Sequence, residues 1–288
     1  MHLKKSFIFG LAIYLFSTAV VIASGDGNFA MSPDGVKISF EKLGTGEPAL
    51  VFIHGWSNNK TIWEEQVAHF SKKYTVVTLD LAGFGQSGNN RSEWSIPAFA
   101  GDVNAVISKL GLQKVVLVGF SMGGPVAVET ANANPDPVLG IVLVDNMQDV
   151  DMHFSTEMMD QTMAYMMDLV TNPTIEKIKP FCKNNPEESF QKIKATLKGA
   201  PGKGWEESLR ATLNWSNDNC RQALKKLQVP VVAINSNARP TNIEAFKKLV
   251  PSFRAHIVPD VGHVIMWDAP VIFDSLLEES IVEFTGNQ

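Results

Sequence analysis

Val115-Val116-Leu117-Val118-Gly119-Phe120-Ser121-Met122-Gly123-Gly124, followed by Pro125 to Ala133, is the stretch that decides the fold. Val115 to Val118 is a short apolar run that reads as a buried strand. Pro125 to Ala133 reads as a helix. Gly119 to Gly123 between them has the pattern G-x-S-x-G, in the strand–turn–helix setting that gives the pattern its meaning. Such a turn is sharp, and its central residue is strained. Only small residues fit two places before and two places after the serine, hence Gly119 and Gly123. The hydroxyl of Ser121 then stands above the sheet, beside the positive end of a helix. Ser121 is the candidate nucleophile.

Outward from this turn, apolar runs alternate with helical patterns. Val36 to Phe40, Ala49 to Ile53 and Tyr74 to Leu79 read as strands. Val138 to Val144, Val229 to Ile234 and Arg254 to Val258 read as later ones. Thr61 to Phe70, Ile96 to Leu110 and Val271 to Phe284 have helical spacing. Strict alternation of this kind predicts an α/β fold, a mostly parallel, doubly wound sheet with helices on both faces. The residues from about 146 to 228 break the alternation. They contain no convincing strand and are punctuated by Pro173, Pro180, Pro186, Pro201 and a soft loop from 199 to 204. This predicts a helical cap inserted into a core formed by residues 24–145 and 229–288. The first part of the insertion carries Met147, Met152, Met158, Met159, Met163, Met166 and Met167. Such side chains adapt to irregular apolar surfaces, whether in helix packing or in lining a ligand site.

Residues 1–23 read differently. Lys4 and Lys5 precede an apolar stretch from Phe7 to Ile22, and Val21-Ile22-Ala23 offers small residues at a cleavage position before Ser24. This is the layout of a secretory signal peptide, with an uncleaved membrane anchor as the competing reading. Either predicts export, to the periplasm or outside the cell. No second long apolar segment follows, so no stable membrane insertion is expected after cleavage. An oxidising compartment would permit a Cys182–Cys220 disulfide; two unrelated thiols are the plainer reading.

The composition excludes several classes. The chain has 288 residues, 45% of them hydrophobic and 19% charged, which is ample for a full core and argues against disorder. The net charge of −5, with no basic stripe, argues against a nucleic-acid partner. Two cysteines cannot form a Cys-based zinc site, and no H-E-x-x-H or similar metal spacing occurs. No G-x-G-x-x-G follows a strand, so no dinucleotide is implied.

Two further motifs carry chemistry. His54-Gly55-Trp56 follows the strand ending at Ile53, beside the Ser121 turn in a doubly wound sheet. Backbone N–H groups there can meet a developing oxyanion, and the donors are assigned as Trp56 N–H and Met122 N–H. The His54 ring is read as structural. Gly262-His263 follows the strand ending near Val258, with Asp268 and Pro270 just beyond. A histidine on such a loop can reach back over Ser121, which makes His263 the general base.

Together these motifs resemble the α/β-hydrolase superfamily, in its serine esterase and cofactor-free haloperoxidase-like branch. The resemblance runs from about Val36 to the C-terminus, interrupted by the insertion. Leu79-Asp80-Leu81-Ala82-Gly83-Phe84-Gly85-Gln86-Ser87 resembles the loop after the family's fourth strand, where the aspartate is usually structural. One departure stands out. The family's triad acid usually follows the strand that here is Val229 to Ile234, and its place falls on Arg239. The family's strand order implies a substitute, Asp145 at the end of Val138 to Val144. Asp149, Asp151, Asp260 and Asn237 are the weaker alternatives, with Asp260 expected to face solvent.

The resemblance implies an exported serine hydrolase acting on a small-molecule carboxylic ester or thioester with an apolar part. It would work through an acyl-enzyme with Ser121, His263 and Asp145, with no cofactor or metal. Trp205, Trp215 and the methionines of the insertion would shape an apolar pocket. Two other readings stay open. One is C–C, amide or perhydrolase chemistry on the same serine. The other is a ligand-binding or sensing protein with weak turnover.

Overall fold

A computed structural model describes residues 28–197 and 204–286. The expected signal segment, residues 1–23, and Pro201 with most of its loop lie outside the described residues. An antiparallel hairpin of β1 (Phe29–Met31) and β2 (Lys37–Leu43) opens the fold. There follow β3 (Ala49–Ile53), a single 3-10 turn over Lys60–Trp63, α1 (Glu64–Phe70), β4 (Thr75–Leu79), α2 (Ile96–Leu110), β5 (Val115–Phe120), α3 (Gly123–Ala133) and β6 (Val138–Val144). Five helices come next: α4 (Thr156–Thr171), α5 (Ile175–Ile178), α6 (Pro186–Thr196), α7 (Trp205–Asp218) and α8 (Cys220–Lys226). β7 (Val231–Ser236), α9 (Ile243–Lys247), β8 (Arg254–Val258), α10 (Ile265–Asp268) and α11 (Pro270–Thr285) complete the described chain.

The sheet has eight strands in the order β1-β2-β4-β3-β5-β6-β7-β8. β2 pairs antiparallel with β4, and from β4 to β8 every pairing is parallel. Parallel strands need a crossover between them, and the crossovers cover both faces. β3, β4, β5 and β7 are accordingly buried along their whole length. Alternate side chains enter opposite cores. Val51, Ile53, Val115 and Leu117 pack with α2, α3 and α8, while Leu50, Phe52, Val116 and Val118 pack with Trp63, Phe70 and α11. Burying a side chain such as Phe52 contributes about 1.5–3 kcal/mol.

The helices start and stop where their sequences dictate. In α2, Ser95 caps the first turn by accepting from Ala98 N–H, Pro97 stands in that turn, and Gly111 ends the helix at φ +61°. Ile96, Phe99, Val103, Val106 and Ile107 turn inward at the three- and four-residue spacing of one helix face. In the insertion, Pro173 falls between α4 and α5, Pro180 follows α5, and Pro186 stands in the first turn of α6. The expected helix from Thr61 to Phe70 is split, its first turn being 3-10. The hairpin strand β1 has no periodic signal at three residues.

The five helices between β6 and β7 do not all sit alike. α8 packs on α3 in the helix layer of the sheet, with Asn132 Nδ2 donating to Ala223 O at 3.0 Å. It serves as the β6-to-β7 crossover. Cys182 lies in the link between α5 and α6 and Cys220 opens α8. They are buried in the two different cores, on opposite sides of the sheet, and both thiols are free. The bridge that their count permits is therefore not formed. Burial pushes each thiol up to about 12. Among the described residues no helix is long and apolar enough to cross a membrane.

Candidate active site

The site lies beyond the carboxyl ends of the parallel strands, where a doubly wound sheet leaves its crevice. Strand register places its parts. Ile53 of β3 stands opposite Gly119 of β5, Phe120 opposite Val144 of β6, and Val144 opposite Ile234 of β7. The residues just past these ends are neighbours: His54, Ser121, Asp145 and Asn235. Ser121 N–H donates to Val144 O at 3.0 Å, and Asp145 N–H donates to Ile234 O at 3.0 Å.

Ser121 has φ +51°, in the left-handed region that costs a non-glycine residue about 1–3 kcal/mol. The surroundings impose it. A Cβ on Gly119 would come 2.3 Å from Gly123 O, and one on Gly123 would come 2.4 Å from Ile53 O. The turn from β5 into α3 is therefore closed to any larger residue at these two places. Met122 caps α3 with its side chain buried.

His263 follows β8 and its ring lies between two aromatic rings. Its centroid is 4.8 Å from that of Phe120 and 5.9 Å from that of Phe181. Its Nδ1 is 2.6 Å from Asp145 Oδ2. Asp145 is 5% exposed, and its second oxygen accepts from Ser236 N–H at 2.7 Å and Gln148 Nε2 at 3.2 Å. Burial pushes this carboxyl up. The bond to His263, the imidazole charge and the Ser236 N–H outweigh burial and hold it below the ordinary carboxylate value. The tautomer consistent with this set has Nδ1–H donating to Asp145, leaving Nε2 unprotonated.

The structure thus brings Ser121, His263 and Asp145 together and leaves the other acids elsewhere. Arg239, at the family's usual acid position, is exposed. Asp149 accepts from Asn242 Nδ2, Asp151 pairs with Arg221, and Asp260 is exposed. Asn237 accepts from Asp260 N–H at 3.3 Å. Three contributors escaped the sequence reading. The Ser236 N–H leaves no side-chain signal. Gln148 had one, an amide three residues past Asp145. Lys60 pairs with the buried Asp80 at 3.0 Å and ties the loop after β4 to the turn after β3.

His54 is fully buried, with Nδ1 2.7 Å from Gly55 O and Nε2 accepting from Leu81 N–H at 3.0 Å. Both nitrogens are occupied, Nε2 as an acceptor and hence without a proton, and burial lowers the ring's pKa in keeping with that. It holds the turn that carries Trp56. Asn58 Nδ2 donates to Trp56 O at 3.0 Å and steadies the same turn. Neither Trp56 N–H nor Met122 N–H donates to a protein acceptor among the described residues.

Ser121 and His263 line one cavity, which is partly open to solvent. Its walls come from Trp56 and Phe120 of the core and from the insertion through Met166 and Leu169 of α4, Ile178 of α5 and Ile193 of α6. Ser57 and Asn58 are the other polar residues of the lining, which among the described residues holds no carboxylate, lysine or arginine. Two expectations fail here. Trp205 and Trp215 do not line the cavity: Trp205 Nε1 donates to Gly83 O and Trp215 Nε1 to Glu129. Of the seven methionines of the insertion, Met166 alone is in the lining.

The profile of the family described as the alpha/beta hydrolase fold matches residues 48–270. A candidate non-heme chloroperoxidase of Synechocystis is 30% identical over 263 residues, covering 81% of this chain and 90% of that protein. An uncharacterized protein of Mycobacterium tuberculosis is 36% identical over 110 residues, 38% of this chain, and the match spans only 32% of that relative's length. A solved structure of a thermophilic esterase from Thermogutta terrifontis superposes with a TM-score of 0.75, at 24% identity over 89% of this chain and 98% of that one.

Proposed function

The chain belongs to the α/β-hydrolase family, and from that premise we propose that it is a serine hydrolase cleaving carboxylic esters or thioesters that carry an apolar part. The observation that carries this reading is the Asp145–His263 pair opening onto the same cavity as the strained Ser121. The described lining, apolar and uncharged, favours a neutral substrate, since burying an unpaired charge against it would be costly. The Thermogutta terrifontis protein, named an esterase, supports the same reading.

In the proposed reaction His263 Nε2 takes the Ser121 proton as Oγ attacks the carbonyl carbon. Asp145 stabilises the imidazolium and keeps the ring in its working tautomer. The carbonyl oxygen, now an oxyanion, accepts from Trp56 N–H and Met122 N–H, donors that no protein acceptor among the described residues occupies. His263 passes the proton to the leaving alcohol or thiol, and the acyl group stays on Ser121. Water then gives a proton to His263 and attacks the acyl carbon, and as the bond to Oγ breaks His263 returns that proton to Ser121, releasing the acid. Hydrogen peroxide in place of water would release a peroxyacid from the same intermediate. The name of the Synechocystis relative favours testing that second reading. Residues 1–23 are proposed as the export signal, so the reaction would take place outside the cytoplasm.

The test is labelling of the purified protein by a fluorophosphonate probe, beside Ser121→Ala, followed by a panel of p-nitrophenyl esters with and without hydrogen peroxide. Fast labelling that vanishes in folded Ser121→Ala, with ester turnover, is the expected result. No labelling of the folded wild type would overturn the enzyme reading and favour a binding protein.

A further inference from the structure

Asp268 lies five residues beyond His263, in the one-turn helix α10, and the proposed reaction gives it no role. It is 8% exposed, and its carboxylate accepts three backbone N–H groups, one from its own loop and two from a distant segment. Oδ2 takes Gly262 N–H at 2.6 Å and Lys183 N–H at 2.8 Å, and Oδ1 takes Asn184 N–H at 3.0 Å. Asn184 Nδ2 returns a bond to Asp268 O at 2.9 Å.

Other contacts join the same two segments. Val264 N–H donates to Phe181 O at 2.9 Å. A Cβ on Gly262 would fall 2.4 Å from Phe181 O, so the two backbones touch. His263 is therefore flanked on both sides: Val264 bonds directly to the link between α5 and α6, and Gly262 bonds to the Asp268 carboxylate that the same link holds. The Phe181 ring from that link also packs edge-on against the imidazole. The insertion and the His263 loop form one hydrogen-bonded unit, with the Asp268 carboxylate at its centre.

We propose that Asp268 is a positioning residue, which sets the His263 ring against Asp145 by locking the His263 loop to the insertion. This rests on the reading of His263 as the general base. Carboxylate–amide bonds of this kind are directional and strong. A reacting group displaced by about 1 Å costs about a hundredfold in rate. Asp268 is absent from the cavity lining, so its loss acts on kcat and leaves KM in place.

The test uses Asp268→Asn, which keeps the shape and turns one acceptor into a donor facing N–H groups. The first readout needs no substrate: the Nδ1–H resonance of His263 in 15N-histidine-labelled protein, with its pH titration. In folded Asp268→Asn that resonance is expected to shift and to exchange faster with solvent. With p-nitrophenyl butyrate, kcat is expected to fall about 10- to 100-fold with KM within about twofold. An unchanged His263 resonance and titration in the folded variant would overturn the proposal, whatever the thermal stability does. If Asp268→Asn fails to fold, Asn184→Ala decides. It removes one bond to the Asp268 backbone and leaves the carboxylate, and it is expected to move the His263 resonance in the same direction by less; no movement overturns the proposal. A wild type without ester turnover would overturn the proposed function, while the imidazole resonance would still report on the coupling.

Discussion

His263 Nδ1 and Asp145 Oδ2 lie 2.6 Å apart, although 118 residues separate them in the chain. The acid comes from the end of β6, while the last residue of β7 contributes the Ser236 N–H that holds its other oxygen. The two neighbouring strand ends thus share one task, and Arg239 is left exposed.

Asp145→Asn is therefore expected to lower kcat about ten-thousand-fold with the fold intact, as loss of the orienting acid does in serine protease triads. Arg239→Ala is expected to leave kcat within about twofold. Steady-state kinetics on one ester, with circular dichroism for folding, checks both. Near-normal turnover in Asp145→Asn would show that another group orients His263. The pH dependence has a definite sign. Asp145 is held below the ordinary carboxylate value, so its contribution to stability is present above that value and is lost as pH falls through the lower folded-state value.

The glycines of the Ser121 turn are expected to tolerate nothing larger. Gly119→Ala and Gly123→Ala each place a Cβ within 2.3–2.4 Å of a backbone oxygen, and backbone cannot step aside as a side chain can. Each is expected to cost about 3 kcal/mol or more. Gly111→Ala has no atom within 4 Å of its Cβ and meets only the strain of φ +61°, about 1–2 kcal/mol. Urea unfolding of the three variants gives the ranking, and equal losses would contradict it.

Asp102 has the opposite pH sign from Asp145. It is fully buried against Arg91, and burial raises its pKa to about 6, in spite of the Arg91 charge and bonds. The folded protein then holds a proton that the unfolded chain, near 3.8, releases. Stability from this group is greatest below that value and declines as pH rises from about 4 to about 6. Asp102→Asn is expected to remove this decline. Urea midpoints at pH 4, 5 and 6 for both proteins check it, and identical slopes would refute the assignment.

The alternation of strands and helices was legible because buried parallel strands need continuous apolar runs, as in Val115 to Val118 and Val138 to Val144. The Ser121 turn was legible because its steric demand falls on residues two places away. The function of Asp268 was not legible, since its carboxylate takes N–H groups from Lys183 and Asn184 in a distant segment. Trp205 and Trp215 misled for a related reason: aromatic residues in the insertion read alike whether they face the cavity or the core.

By itself, the sequence determined the sheet architecture, the nucleophile and base candidates, and the insertion between β6 and β7, because these follow from local periodicity and local sterics. Only the tertiary structure decided which carboxylate meets His263, which side of the sheet each cysteine occupies, and which insertion residues reach the cavity. Those outcomes depend on strand register, which carries Asp145 to Ser236, and on helix packing, which brings Asn184 to Asp268. Neither pairing has a signature within reach of its own neighbours in the chain.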